Sequence, residues 1–308
     1  MGKYFVLLLI FSAVSCQECP SREITPCTCD REGINCRKIK NYSELNSAFE
    51  KISPFEVRNV WIQGTAIRKL ASDLFRKVEA QNFYLDMNFI REIESGAFNY
   101  SMKIADTISL YSNQIESFPF EDIGKFSRLR ILNLGQNRLR YLPKGCFSNN
   151  KSLKKIILIE NNIINVGQEA FLNMPSLQLL DLSGNEIKSL NDRSMASDEN
   201  HPRLEINLSF NEISSISPTA FQGLKPHIVN LDHNQLSTLE EKAFLPLFKG
   251  LSDERGSFVS FRKNSFSCSG CSYLWLVKLK DILSLMMQNF RCQDGRSLSD
   301  LNRINIDC

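Results

Sequence analysis

A chain of 308 residues with 43% apolar and 23% charged residues has enough apolar length to bury a large core, which excludes a disordered polymer. Lys+Arg of 37 against Asp+Glu of 34 leaves a formal charge of +3, too small a basic excess for bulk nucleic-acid binding. Three His supply little material for a multi-histidine metal centre, so ten Cys are the one unusual count that requires an account.

The chain opens with Met1-Gly-Lys3, an apolar run from Tyr4 to Phe11, and the small-residue stretch Ser12-Ala-Val-Ser-Cys16. A basic start, a short apolar run and a small-residue end predict a secretory signal peptide over 1–16, cleaved after Ser15 or Cys16. The run is too short to cross a bilayer. The mature chain is therefore expected outside the cell, where disulfides persist. The next apolar stretch, Tyr273 to Met287, is interrupted by Lys278, Lys280 and Asp281. Trp275, Leu276, Leu279, Ile282, Leu283 and Met286 fall at helical spacing, which predicts an amphipathic helix on a core rather than a membrane span.

Between these ends the sequence repeats. Leu129-Arg-Ile-Leu132-Asn-Leu134-Gly-Gln-Asn137, Leu153-Lys-Lys-Ile156-Ile-Leu158-Ile-Glu-Asn161 and Leu177-Gln-Leu-Leu180-Asp-Leu182-Ser-Gly-Asn185 share one pattern. Weaker copies centre on Thr65, Asn88, Asn113, Asn211, Asn234 and Asn264, and from Asn88 to Asn234 the steps are 25, 24, 24, 24, 26 and 23 residues. Ten residues after each Asn (or Thr65) runs a second column: Phe75, Phe98, Ile123, Phe147, Phe171, Met195, Phe221 and Phe244. Each is preceded by a mostly small residue, Cys146 among them. Alternating apolar residues predict a short strand with one buried face, and Asn predicts a turn. One such unit cannot bury its own face; eight or nine stacked units can.

The two registered columns resemble the extracellular leucine-rich repeat family, with roughly 24 residues per repeat. The resemblance implies an α/β solenoid, a right-handed β-α horseshoe, with Asn side chains laddered through the stack and the Phe column as a convex spine. Thr65 in the Asn column predicts a weaker first edge, and Arg203 and Pro226, standing where a leading Leu is usual, leave the register of the late repeats open. The expected organisation is a cysteine-rich N-terminal cap over 17–56, repeats over 57–266 and a cysteine-rich C-terminal cap over 267–308.

Cys19, Cys27, Cys29 and Cys36 precede the repeats, and Cys268, Cys271, Cys292 and Cys308 follow them. Two disulfides per end would close the open layers of a solenoid, and two independent groups of four leave nine pairings. The resemblance implies Cys19–Cys29, Cys27–Cys36, Cys268–Cys292 and Cys271–Cys308, although C-x-x-C stands where the family has C-x-C. Cys268-Ser-Gly-Cys271 also suits a zinc half-site or a redox pair, but a secreted chain favours the disulfide. Cys146 is expected as a buried free thiol acting as a small hydrophobe.

No nucleophile-elbow, zinc-protease, dinucleotide or phosphate-loop motif occurs, and no cofactor is expected. His201, His227 and His233 read as surface residues. In the solenoid, residues between buried leucines point to the concave face. One column reads Trp61, Tyr84, Ser109, Asn133, Ile157, Asp181, Asn207, Asn230 and Ser260; the next reads Gln63, Asp86, Tyr111, Gly135, Ile159, Ser183, Ser209, Asp232 and Arg262. Trp61, Tyr84, Met87, Tyr111, Ile157 and Ile159 give the first half an apolar surface suited to a protein partner. A basic stretch including Arg130, Lys154 and Lys155 is the alternative site, for an acidic glycan of a matrix or adhesion component. Sequons stand at Asn41, Asn99, Asn150 and Asn207, the first three expected in the cap or on convex loops and Asn207 on the concave face.

Cys-Pro near the start, Pro26-Cys-Thr-Cys29, and Cys292-Gln-Asp-Gly-Arg-Ser-Leu-Ser-Asp-Leu301 look like a group of arthropod secreted repeat proteins that includes a non-catalytic luciferin monooxygenase subunit. That resemblance implies a non-enzymatic accessory protein with a macromolecular partner, such as a catalytic subunit or a cell-surface receptor.

Overall fold

The computed structural model describes residues 24–308 except Lys51, Ser53 and Asp253. The expected signal peptide and Cys19 lie outside the described residues. One sheet of twelve strands runs through the molecule. An antiparallel hairpin, Thr28–Asp30 with Gly33–Asn35, starts it. Ten parallel strands follow: Phe55–Trp61, Val78–Tyr84, Thr107–Ser109, Ile131–Asn133, Lys155–Ile157, Leu179–Asp181, Glu205–Asn207, Ile228–Asn230, Phe258–Ser260 and Met287–Gln288. Each lies beside its sequence neighbour, so every repeat contributes one strand and the sheet grows along the stack.

The strands are short because the pattern is short. Val60 and Ile62, Leu132 and Leu134, Ile156 and Leu158, and Leu180 and Leu182 flank their outward residues and are buried. The Asn that ends each pattern is buried as well and spends its amide on the backbone. Asn137 Nδ2 donates to Leu110 O at 2.9 Å and Leu134 O at 3.0 Å, and its Oδ1 accepts from Ile115 N at 3.0 Å. Asn88, Asn113, Asn161, Asn185, Asn211, Asn234 and Asn264 each make the same connection to a carbonyl of the preceding repeat. Thr65 opens the ladder through its amide and hydroxyl, both donating to Asn88 Oδ1 at 2.7 Å.

The late repeats keep their register: Leu179 aligns with Glu205, and Glu205 with Ile228. Leu204 and Leu224 turn inward and fill the space that Arg203 and Pro226 leave. On the opposite side of the stack, Phe75, Phe98, Phe147, Phe171, Phe221 and Phe244 are all buried. In the third repeat Ile123 is buried too, but the aromatic contact comes from Phe120, 5.3 Å from Phe147. Most of this side is turns and two-residue strands, such as Tyr141–Leu142 paired with Asn165–Val166. Only one repeat completes an α-helix there; the described helices are α1 (Tyr42–Glu50), α2 (Glu241–Gly250) and α3 (Leu274–Leu283).

Helices α1 and α3 close the ends. Asn41 Oδ1 accepts from Glu44 N at 3.0 Å, while the Glu44 carboxylate accepts from Lys40 N at 2.9 Å, a reciprocal cap on α1. Leu45, Ala48 and Phe49 then cover the first layer, with Phe49 edge-on to Phe75 at 5.3 Å. Helix α3 buries Trp275, Leu276 and Leu283, and Trp275 Nε1 donates to Leu239 O at 2.9 Å. The helix ends earlier than its periodicity predicts. Ile282 faces solvent and Met287 leaves the helix to form the last strand, because extending the sheet covers the open strand edge. Disulfides join Cys27 to Cys36, Cys268 to Cys292 and Cys271 to Cys308. Cys29 is also in a disulfide.

Candidate functional site

The register places Trp61, Tyr84, Ser109, Asn133, Ile157, Asp181, Asn207, Asn230 and Ser260 side by side in one outward column. Trp61 and Tyr84 stack with ring centroids 6.2 Å apart and planes 13° from parallel. In the next column, Tyr111 and Ile159 close over Gly135: a Cβ there would stand 3.2 Å from Tyr111 Cδ2 and 2.8 Å from Ile159 Cγ2. Glycine therefore lets side chains of both neighbouring repeats lean over its position, and with Ile157 they extend the apolar surface toward the fifth repeat.

Met87 does not belong to either column. It occupies the position before the ladder Asn, where every repeat takes a left-handed residue: Gly64, Met87, Ser112, Gln136, Glu160, Gly184, Phe210, His233 and Lys263 have φ between 52° and 68°. This position projects from the sheet's edge, leaving Met87 57% exposed beside Phe89 at 51%. Phe210 and His233 stack at 4.2 Å farther along the same edge. Phe89 and Phe210 were legible as apolar residues but carried no periodic signal, because they lie in the turn rather than the strand. A third outward column, two residues before the first, was also missed; it carries half-buried Ile131, Leu179, Ile228 and Phe258.

Polar groups border the aromatic pair. Gln63 Nε2 donates to Asp86 Oδ2 at 2.9 Å, and Asp86 Oδ1 accepts from Ser109 Oγ at 2.5 Å and Tyr111 N at 3.0 Å. The later repeats present a different surface. Asp181, Asn207 and Asn230 each accept from the amide two residues on, holding a row of acceptors on the concave side. The aromatic half and the acceptor half therefore differ in what they can bind.

The basic stretch does not form one surface. Arg130, Lys154 and Lys155 lie before or at the start of strands, whereas Arg138, Arg140 and Lys144 follow the ladder Asn of their repeat on the other edge. Arg130 is already paired with Asp106. The sequons also separate. Asn41 and Asn99 are exposed, but Asn150 is buried, its Nδ2 donating to Ile123 O at 3.2 Å and its Oδ1 accepting from Leu153 N at 2.9 Å. Asn150 is thus a buried turn residue, unlike the exposed Asn41 and Asn99. Asn207 does stand on the concave face.

The three histidines do not converge. His201 accepts from Arg203 N at 3.1 Å, His227 Nδ1 is 2.9 Å from Ser257 Oγ, and His233 stacks on Phe210. Among the described residues no group of three His, Cys, Asp or Glu side chains could hold a metal ion, and no helix is long and apolar enough to cross a membrane. Cys146 is a free thiol whose pKa burial pushes up to about 12.

Leucine-rich repeat models match residues 127–187, 151–197 and 204–224. The chain carries leucine-rich repeats. Over 322 aligned residues it is 26% identical to the Oplophorus-luciferin 2-monooxygenase non-catalytic subunit of Oplophorus gracilirostris, covering 92% of this chain and 86% of that protein. Toll-like receptor 9 of Mus musculus is 30% identical over 145 residues, but these are 46% of this chain and 13% of the receptor. Among solved structures, a chain from the octameric complex of Latrophilin 3, Unc5D and FLRT2 (LRR) superposes with a TM-score of 0.55 at 21% identity, covering 91% of this chain and 97% of that one. The structural likeness concerns the leucine-rich repeat solenoid; the sequence likeness to the monooxygenase subunit covers 92% of the chain.

Proposed function

We propose that this leucine-rich repeat protein is a secreted, non-catalytic accessory subunit that holds a protein partner on the N-terminal half of its concave face. The stacked Trp61–Tyr84 pair, continued by Tyr111 and Ile159 over Gly135, carries the reading. Aromatic groups fixed on a rigid sheet lose little conformational entropy on binding, and their neighbours exclude water. The disulfides support a site of action outside the cell. Similarity to a non-catalytic subunit over most of the chain supports an enzyme's catalytic subunit as the partner class.

Native mass measured by light scattering on the endogenous protein, with mass spectrometry of each peak, tests the assembly. A second polypeptide at fixed stoichiometry is expected; a lone monomer overturns a stable complex. The captured partner then tests the site. Trp61→Ala with Tyr84→Ala is expected to weaken capture by at least tenfold, corresponding to about 1.4 kcal/mol or more. Unchanged capture by a folded double variant excludes this face.

A further inference from the structure

At the far end of the sheet, the last repeat and the C-terminal cap enclose a cleft of about 620 Å³. Three cations converge on it from separate places in the chain. Arg262 follows the strand Phe258–Ser260, Lys263 takes the left-handed position of that repeat with φ 58°, and Arg291 follows the strand Met287–Gln288. All three side chains are exposed, and none has an ion-pair partner among the described residues. The neighbouring carboxylates hold other hydrogen-bond partners, and of them Asp300 also lies within reach of the Arg291 charge. Asp232 Oδ1 accepts from Ser260 Oγ and the Arg262 backbone amide, both at 2.6 Å. Asp300 accepts from Ser297 N at 2.7 Å and Ser297 Oγ at 2.6 Å, and Asp294 pairs with Arg296 at 2.6 Å.

The rest of the lining includes Ser284, Asn289 and Ser299. A cleft lined by one sign of charge concentrates the opposite charge, and guanidinium groups are suited to forked contacts with oxyanions. Ser284 Oγ donates to Asp281 O at 2.8 Å, Asn289 Nδ2 donates to Ser260 Oγ at 2.9 Å and Ser299 Oγ lies 2.8 Å from Ser297 Oγ, so these side chains offer a ligand their remaining lone pairs and the second amide hydrogen. The volume falls within the range of clefts that hold small ligands. We propose that this cleft binds a sulfated glycan, with Arg262, Lys263 and Arg291 taking the sulfate oxygens and Ser284, Asn289 and Ser299 the sugar hydroxyls. The site is separate from the aromatic surface at the other end of the sheet. It also differs from the Arg130–Lys155 flank, where Arg130 is already neutralised.

The test uses the full chain on immobilised heparin and on chemically desulfated heparin, read as apparent Kd and as eluting salt. Salt-sensitive binding to heparin is expected, weaker by at least about tenfold on the desulfated matrix. Arg262→Ala, Lys263→Ala and Arg291→Ala together are expected to lose at least about tenfold in affinity, while Arg130→Ala, Lys154→Ala and Lys155→Ala together change it by less than about threefold. Unchanged melting of both variants shows that they fold. The charge-keeping pair Arg262→Lys and Arg291→Lys should retain binding better than the alanine variant.

Absence of heparin binding, or loss confined to the flank variant, overturns the proposal. Equal competition by polyglutamate overturns the glycan class in favour of an acidic peptide. Trp61→Ala with Tyr84→Ala should leave heparin binding unchanged, so failure of this proposal and failure of the protein-partner reading are separable.

Discussion

Asn137 shows how a repeat becomes a structure one side chain at a time. Its amide connects Leu110 O, Leu134 O, Gly135 O and Ile115 N in the buried stack. Asn137→Ala leaves Ile115 N without its acceptor, whereas Leu110 O and Leu134 O keep the donors Asn113 and Asn161. We expect a loss of about 2–3 kcal/mol, since one unsatisfied buried N–H costs on the order of 1–3 kcal/mol and the lost carbonyl hydrogen bonds add to it. Thr65→Ala, at the ladder's end, should cost about 1 kcal/mol, as only one side-chain hydrogen bond disappears. Urea midpoints of the two variants check the difference; equal losses would contradict the ladder's directional wiring.

Asp122 is a second residue whose role depends on its surroundings. Burial alone would raise its carboxyl pKa, but hydrogen bonds from Lys125, the Gly96 amide and Ser95 outweigh burial and hold it below the ordinary carboxylate value. A group with a depressed folded pKa stabilises the protein above its unfolded value of about 3.9, and this contribution disappears as pH falls through the lower folded value. Asp122→Asn should therefore flatten the acid limb of stability below about pH 4. Urea denaturation from pH 2 to 6 checks this, and an unchanged acid limb would refute the assignment. The Asn ladder was readable from spacing; this clasp was not, because Asp122 occupies a column of mostly small residues and its partners Ser95 and Gly96 lie in another repeat.

At the level of elements, the caps complete what the repeats leave exposed. The chain enclosed by Cys271–Cys308 spans 37 positions and includes all of α3 and the final strand. A loop of this length corresponds to about 3–4 kcal/mol in a chain-entropy account, although native strain reduces that value in practice. Replacing both cysteines with serine should loosen the cap before the repeats unfold. Trp275 is buried against the eighth repeat through Leu239 O, so its fluorescence should shift to the red at lower urea than the loss of β-sheet circular dichroism. Trp61→Phe removes the other tryptophan signal. Coincident transitions would show that cap and repeats unfold as one unit. Helix α3 itself was visible in the 3.6-residue pattern, but its end was not: sheet pairing by Met287 prevailed over a continued helical period.

At the scale of the whole molecule, the concave surface divides into an aromatic half and an acceptor-rich half, and glycosylation is expected to respect that division. Asn207 has its side chain on the acceptor half, whereas Asn150 is buried in a turn. Peptide mass spectrometry of the native protein should find Asn150 unmodified. A glycan at Asn207 would cover the later repeats and leave Trp61 and Tyr84 open. A fully occupied Asn150 in folded protein would contradict the turn geometry, since its amide nitrogen donates to Ile123 O.

The recurrence of apolar residues and Asn every 23 to 26 positions was sufficient to determine stacking, because each short repeat has no other way to bury its leucines. The same spacing separated the concave columns from the core, since strand side chains alternate. Only the tertiary structure decided which residues meet across repeats. Tyr111 and Ile159 close over Gly135, Arg130 finds Asp106, and Arg262, Lys263 and Arg291 gather around one cleft. Periodicity specifies the direction of each side chain relative to its own strand, but a contact between repeats also depends on side-chain reach and on the shape of the neighbours.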